Sequence, residues 1–163
     1  MLSECARVTT AEEASFRIDY PNSQPRRIKV IALDAIADAL LRRLHQKAWN
    51  AASFMTVAEG AAASVHDWLR SLDGRTLTLL DEVSSADAVV TVSTAGQDSE
   101  NAAVIAEACH LHRVMLTSLV IDPPATTDAS LLHTMVPLRA TASMLVVARG
   151  EDYVEAMLTA LRA

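Results

Sequence analysis

Residues 93–99, Ser-Thr-Ala-Gly-Gln-Asp-Ser, carry the side chains best suited to holding an anion: hydroxyls at Ser93, Thr94 and Ser99, a glycine at Gly96 and an amide at Gln97. They stand between an apolar run and a helix-like stretch. The first amides of a helix have no partner within it, and its dipole favours negative charge at that end. The same positions also suit simple capping, because Asp98 or Ser99 is a good N-cap and Glu100 complements the dipole in the first turn. A second loop, 33–38, reads Leu-Asp-Ala-Ile-Ala-Asp. It contains no glycine, so its backbone cannot approach a pyrophosphate closely, and Asp34 and Asp38 add like charge; conventional NAD or FAD binding is disfavoured. No Gly-Lys-Ser/Thr occurs either, which excludes a P-loop. The candidate ligand-binding residues are Asp34, Ser93, Thr94, Gly96, Gln97 and Ser99; no catalytic residue, metal ligand or cofactor is assigned.

Carboxylates offer a different chemistry. Asp34, Asp81 with Glu82, and Asp122 each follow a strand-like run, so they are expected near one sheet edge, where hard oxygens would suit magnesium. Turn and cap roles account for the same residues. His110 and His112 lie two apart, hence on nearly opposite helix faces, and His45, His66 and His133 stand singly. No hydrolase triad or HExxH spacing is present. Cys5 and Cys109 lack CxxC spacing, and Cys109 reads as a buried small hydrophobe.

The elements that must position these loops follow from periodicity. Residues 1–25 read as an N-terminal arm in which Phe16-Arg-Ile-Asp-Tyr20 alternates like a short edge strand, with Pro21 and Pro25 bracketing a turn. Residues 26–163 read as one domain. Strands are expected at 28–33, 53–57, 76–80, 88–93, 114–121 and 144–148, with helices near 35–44, 61–72, 99–112, 128–140 and 152–161. Asp34 is expected to cap the first helix, Asp73-Gly74 to end the second, and Pro137 to interrupt or kink the fourth. The whole is an α/β fold: a doubly wound, mostly parallel sheet of five or six strands with helices on both faces, Rossmann-like and three-layered. The order 3-2-1-4-5-6 would bring the first and fourth strands together at the switch point, so that residues 33–36 face 93–99 across a crevice; a five-stranded flavodoxin-like order is the nearest competitor.

The stretch 86–96, Ala-Asp-Ala-Val-Val-Thr-Val-Ser-Thr-Ala-Gly, followed by Ala-Ala-Val-Ile-Ala-Glu-Ala at 102–108, resembles the central strand, loop and helix of tubulin and FtsZ-type GTPases. It is similar also to the phosphosugar-binding loop of sugar isomerase domains. Gln97-Asp98-Ser99-Glu100 stands where the GTPase signature is glycine-rich, and Ala95 where the isomerase pattern has serine. The resemblance therefore implies a strand-turn-helix and carries over no catalytic residue.

Composition narrows the function classes. The 163 residues are 51% hydrophobic and carry a net charge of −6, with lysine only at positions 29 and 47. A nucleic-acid footprint needs a clustered basic face, and the short groups Arg26-Arg27-Lys29 and Arg42-Arg43 are not one. Charged residues interrupt the first 25 positions and no run is long enough to span a bilayer, so no membrane association and a cytoplasmic location are expected. The leading expectation is a binding or regulatory module recognising a small anionic ligand or a protein partner through residues 93–99. The competing class is an enzyme acting on a phosphorylated metabolite or nucleotide. A third reading is a homodimer built through the arm and the last helix.

Overall fold

The computed structural model describes residues 25–58, 69–161 and 163. The expected arm, apart from Pro25, and most of the expected helix at 61–72 lie outside them. Along the chain run β1 (Ile28–Ala32), α1 (Ala35–His45), β2 (Ala52–Val57), β3 (Leu69–Ser71), β4 (Thr76–Leu77) and α2 (Leu79–Ser84). These are followed by β5 (Ala88–Thr94), α3 (Ala102–His112), β6 (Met115–Ile121), α4 (Asp128–Thr141), β7 (Met144–Ala148) and α5 (Asp152–Ala160).

The strands form one seven-stranded sheet of order β4-β3-β2-β1-β5-β6-β7. β2, β1, β5, β6 and β7 are parallel, with Val30 opposite both Phe54 and Val90. β3 and β4 are antiparallel additions at one edge. The expected neighbours β1 and β5 are indeed adjacent. The parallel strands alone, numbered in chain order, run 2-1-3-4-5, which is the order of the flavodoxin-like competitor.

Three expectations between β2 and β5 are corrected. Leu69 and Leu72 were expected on one helical stripe, but 69–71 is a strand paired with β2. Asp73-Gly74, expected to stop a helix, instead turns a hairpin: Gly74 adopts φ 89°, donates its N–H to the Ser71 carbonyl at 2.9 Å, and lets Leu69 pair with Leu77. A glycine after aspartate serves either role, and the strand partner decides which. The expected strand at 76–80 is only Thr76–Leu77, since residues from Leu79 onward coil into α2. Burial of Leu79 and Val83, four apart, draws that turn onto the sheet.

Alternating strand residues feed two apolar clusters. Ile28, Val30, Val90, Val92 and Leu119 pack with Leu40, Leu41 and Leu44 of α1 and with Val154 and Leu158 of α5. Ile31, Val89, Leu116 and Val120 pack with Leu79 and Val83 of α2, Ile105 of α3 and Leu138 of α4. Successive strand side chains point to opposite faces, so each cluster belongs to one face of the sheet. Each fully buried leucine or isoleucine contributes about 1.5–3 kcal/mol by leaving water. The apolar stripe of α5 is thereby spent on the chain's own core. α4 runs on through Pro137, rather than stopping there. No helix among the described residues is long and apolar enough to cross a membrane.

Candidate functional site

The carboxyl ends of β1 and β5 meet where the sequence placed the crevice. Leu33 extends the ladder by donating its N–H to the Val92 carbonyl at 2.9 Å, and the chain then turns into α1 at Asp34, which is extended at φ −138°, ψ 168°. The Asp34 carboxylate accepts four hydrogen bonds. Oδ1 takes the N–H of Ile36 at 3.0 Å, that of Ala37 at 2.8 Å and the Thr94 hydroxyl at 3.1 Å; Oδ2 takes the Thr94 N–H at 2.6 Å. Asp34 thus caps α1 as expected and also ties it to the end of β5. A helix N-terminus at a switch point is a natural anion site, and here the chain's own carboxylate accepts its amides. The turn at 33–38 makes this arrangement without a glycine.

Residues 94–99 are also bonded to the chain itself. The N–H of Ala95 goes to the Ile121 carbonyl at 2.8 Å, and that of Gln97 to the Thr94 carbonyl at 3.0 Å. Gly96, at φ 89°, directs its N–H to α4, reaching Thr134 Oγ1 at 2.9 Å and the Ser130 carbonyl at 3.1 Å. Thr134 returns its own hydroxyl to the Gln97 carbonyl at 2.8 Å, and the Ser99 hydroxyl donates to the Thr134 carbonyl at 3.1 Å. Asp98 Oδ1 accepts the Glu100 N–H at 3.0 Å, a local turn that leads into α3 without a side-chain cap. Ser93 is fully buried, and its Oγ has no hydrogen-bond partner among the described residues. Of the six sequence candidates, Asp34 and Thr94 are bonded to each other, Gly96, Gln97 and Ser99 are bonded to α4, and Ser93 stands apart from both.

The other side of the Asp34 turn carries a cavity among the described residues. A cavity of about 330 Å³ lies between the carboxyl ends of β1 and β2, lined by Asp34, Asp38, Arg42, Thr56 and Arg70 with Leu33 and Val57 behind them. Arg42 Nε donates to Asp38 Oδ2 at 2.8 Å, an i,i+4 pair on α1, and Arg42 also donates to the Leu72 carbonyl at 3.3 Å. Asp38 Oδ1 is buried without a hydrogen-bond partner among the described residues. No family model matches this chain, and no curated protein matches it in sequence. The cavity's chemistry therefore has to be read from its own residues. A carboxylate oxygen calls for a donor, while guanidinium groups present planar donors suited to a carboxylate or phosphate.

The carboxylate gathering expected from the sequence does not form. Glu82 lies on α2 and pairs with Lys29, the second residue of β1, at 2.6 Å, at the opposite end of that strand from Asp34. Asp122 follows β6 and donates its N–H to the Ala148 carbonyl at 2.8 Å. Among the described residues no three His, Cys, Asp or Glu side chains group closely enough to hold a metal ion. Burial pushes the Cys109 thiol up to about 12, which keeps it protonated and unreactive.

Thr134, Asp38, Arg42 and Arg70 were not among the sequence candidates for the site. The i,i+4 spacing of Asp38 and Arg42 was a usable signal. Thr134, polar within the stripe Leu131, Met135 and Leu138, was another. Nothing local marks Arg70, because β3 reaches the site only through its pairing with β2.

Proposed function

We propose that this protein is a Rossmann-like, doubly wound α/β binding module that takes a small anionic ligand in the cavity between β1 and β2. The observation that carries this reading is the cavity itself, of ligand size, lined by Arg42, Arg70 and Asp38, whose Oδ1 has no partner among the described residues. The ligand class is a small metabolite with a carboxylate or phosphate for the arginines and an adjacent hydroxyl or amine for Asp38. Residues 93–99 act here as the rigid wall behind Asp34, since their amides at 94–97 already have partners within the chain. Turnover is not part of the reading: among the described residues the cavity's carboxylates are Asp34, which is fully bonded, and Asp38, which pairs with Arg42, and its one hydroxyl is that of Thr56.

The test is a thermal-shift screen of the full chain against sugar phosphates, hydroxy acids, amino acids and nucleotides, repeated with Arg70→Ala and Gln97→Ala. A ligand at about 100 times its Kd adds roughly 2.7 kcal/mol, several degrees in Tm. The expected result is a shift that survives Gln97→Ala and disappears in Arg70→Ala. The opposite pattern would move the site to residues 93–99, and no shift across the panel would overturn the small-molecule reading.

A further inference from the structure

A second cavity, of about 530 Å³, lies at the amino end of β6, the opposite end of the sheet from Asp34. His110 and Arg113 from the end of α3 line one wall, Thr141 and Ser143 from the end of α4 the other, and Val114 and Leu116, which flank the first residue of β6, lie between them. Ser143 is fixed there by donating its N–H to the Leu116 carbonyl at 2.9 Å.

Arg113 stands where a helix-ending turn favours glycine. Its N–H bonds to the His110 carbonyl at 3.2 Å and the Val114 N–H to the Cys109 carbonyl at 2.9 Å, the paired bonds that close a helix over a left-handed residue. At φ 57°, ψ 35° it is the one non-glycine residue with a positive φ among the described residues, where Gly74 and Gly96 take the other two such positions. A Cβ is crowded by the neighbouring carbonyl in this region, so the arginine is held against the local preference of the backbone. Strained positions of this kind gather at ligand sites, and this one lines a cavity.

The charge around the cavity has one sign. The chain as a whole carries −6, yet no carboxylate lines this cavity among the described residues. The single carboxylate of α3, Glu107, lines a different groove, against Leu79 of α2. That of α4, Asp128, lies at the far end of its helix, and β6 and β7 have none. Arg113, together with Arg139 in the last turn of α4, therefore sets a positive local field.

We propose that this cavity is a second ligand site, which takes a small phosphate monoester. Arg113 supplies a charged fork of donors, His110 an imidazole N–H and Ser143 a hydroxyl, and these come from opposite walls. A phosphate directs its terminal oxygens several ways and can meet both walls, whereas a planar carboxylate directs its two oxygens to one side. Cys109, Val114 and Leu116 offer apolar surface to the organic part of the ester. No residue lines both this cavity and the one between β1 and β2, so the two sites stand or fall separately.

Phenyl phosphate titrated into the full chain, followed by amide chemical shifts, tests the site. Shifts are expected at residues 110–116 and 141–143, with a Kd of about 1 mM or below. Arg113→Gly removes the fork and relaxes the backbone, so it is expected to melt no lower than the wild type while Kd rises at least about tenfold. Arg113→Asn, a residue that also tolerates the left-handed region, repeats the comparison if the glycine variant is poorly folded. Arg70→Ala, in the other cavity, is expected to leave these shifts in place. No shift at 110–116 with the probe at about 10 mM would overturn the proposal, as would a Kd unchanged in both Arg113 variants or shifts that vanish in Arg70→Ala. Benzoate binding as tightly at the same residues would overturn the assignment to phosphate.

Discussion

On the β5 side of the Asp34 turn the chain answers most of its own polar groups: both carboxylate oxygens of Asp34 and the amides of residues 94–97 have partners, drawn from α1, β5, β6 and α4, and Ser93 Oγ alone is buried there without one among the described residues. On the β2 side, barely a turn of helix away, Asp38 keeps one buried oxygen without a partner among the described residues, and Arg42 and Arg70 line a cavity. A buried polar group without a partner is a cost of about 1–3 kcal/mol, which a fold tolerates where a ligand removes it. The contrast teaches that the switch point of an α/β sheet can be closed by a single carboxylate while the cavity of the proposed function lies one strand over.

The largest expected effect comes from breaking the closed side. Asp34→Ala removes the cap and leaves the Thr94 N–H, in a residue only 3% exposed, without its acceptor. The loss is expected to be about 3 kcal/mol, roughly 10 °C in Tm, by thermal melt. A loss below about 1 kcal/mol would mean that the crevice is not held by this carboxylate.

Thr134→Val keeps the side-chain shape but deletes the acceptor for Gly96 and the donor to Gln97. Gly96 N retains the Ser130 carbonyl, so about 1 kcal/mol is expected to be lost in urea unfolding, with m unchanged. No loss would show that α4 does not brace the loop.

Asp38→Asn sharpens the comparison from the open side. It weakens an ion pair whose arginine is half exposed, so stability is expected to change by no more than about 0.5 kcal/mol, while calorimetry with the ligand found for the cavity loses its signal. A large stability loss with binding intact would reverse the roles assigned to the two sides.

The smallest effect lies at the amino end of the sheet. The Arg27 guanidinium and N–H hold the Asp87 carboxyl below its ordinary value of 3.8. Because the folded pKa is the lower one, the contribution is complete above pH 3.8 and is lost as the pH falls through the depressed value. Melts of the wild type and Asp87→Asn from pH 7 down to 2 are expected to converge only below pH 3.8. A difference that is constant with pH would remove Asp87 from the acid limb.

What could be read in advance divides by sequence distance. The Asp34 cap was legible because its amides belong to the second and third residues after it, whereas the Thr94 bonds join positions 60 apart in the chain. The parallel strands were legible as β-branched runs, and so was the adjacency of β1 and β5. The hairpin at Gly74 was not, because Leu69 and Leu72 fit a helical stripe as well as they fit a strand and its turn.

By itself the sequence determined what local chemistry can decide: the apolar runs that become strands, the amphipathic stripe of α5, the Asp34 cap and a first loop too poor in glycine to wrap a pyrophosphate. Only the tertiary structure decided that Asp34 meets Thr94, that Thr134 seizes Gly96, and that Arg70 reaches the cavity through a strand paired antiparallel to β2. The reason is that hydrogen-bond satisfaction is settled across strands and helices far apart in the chain, where no spacing records which donor will find which acceptor.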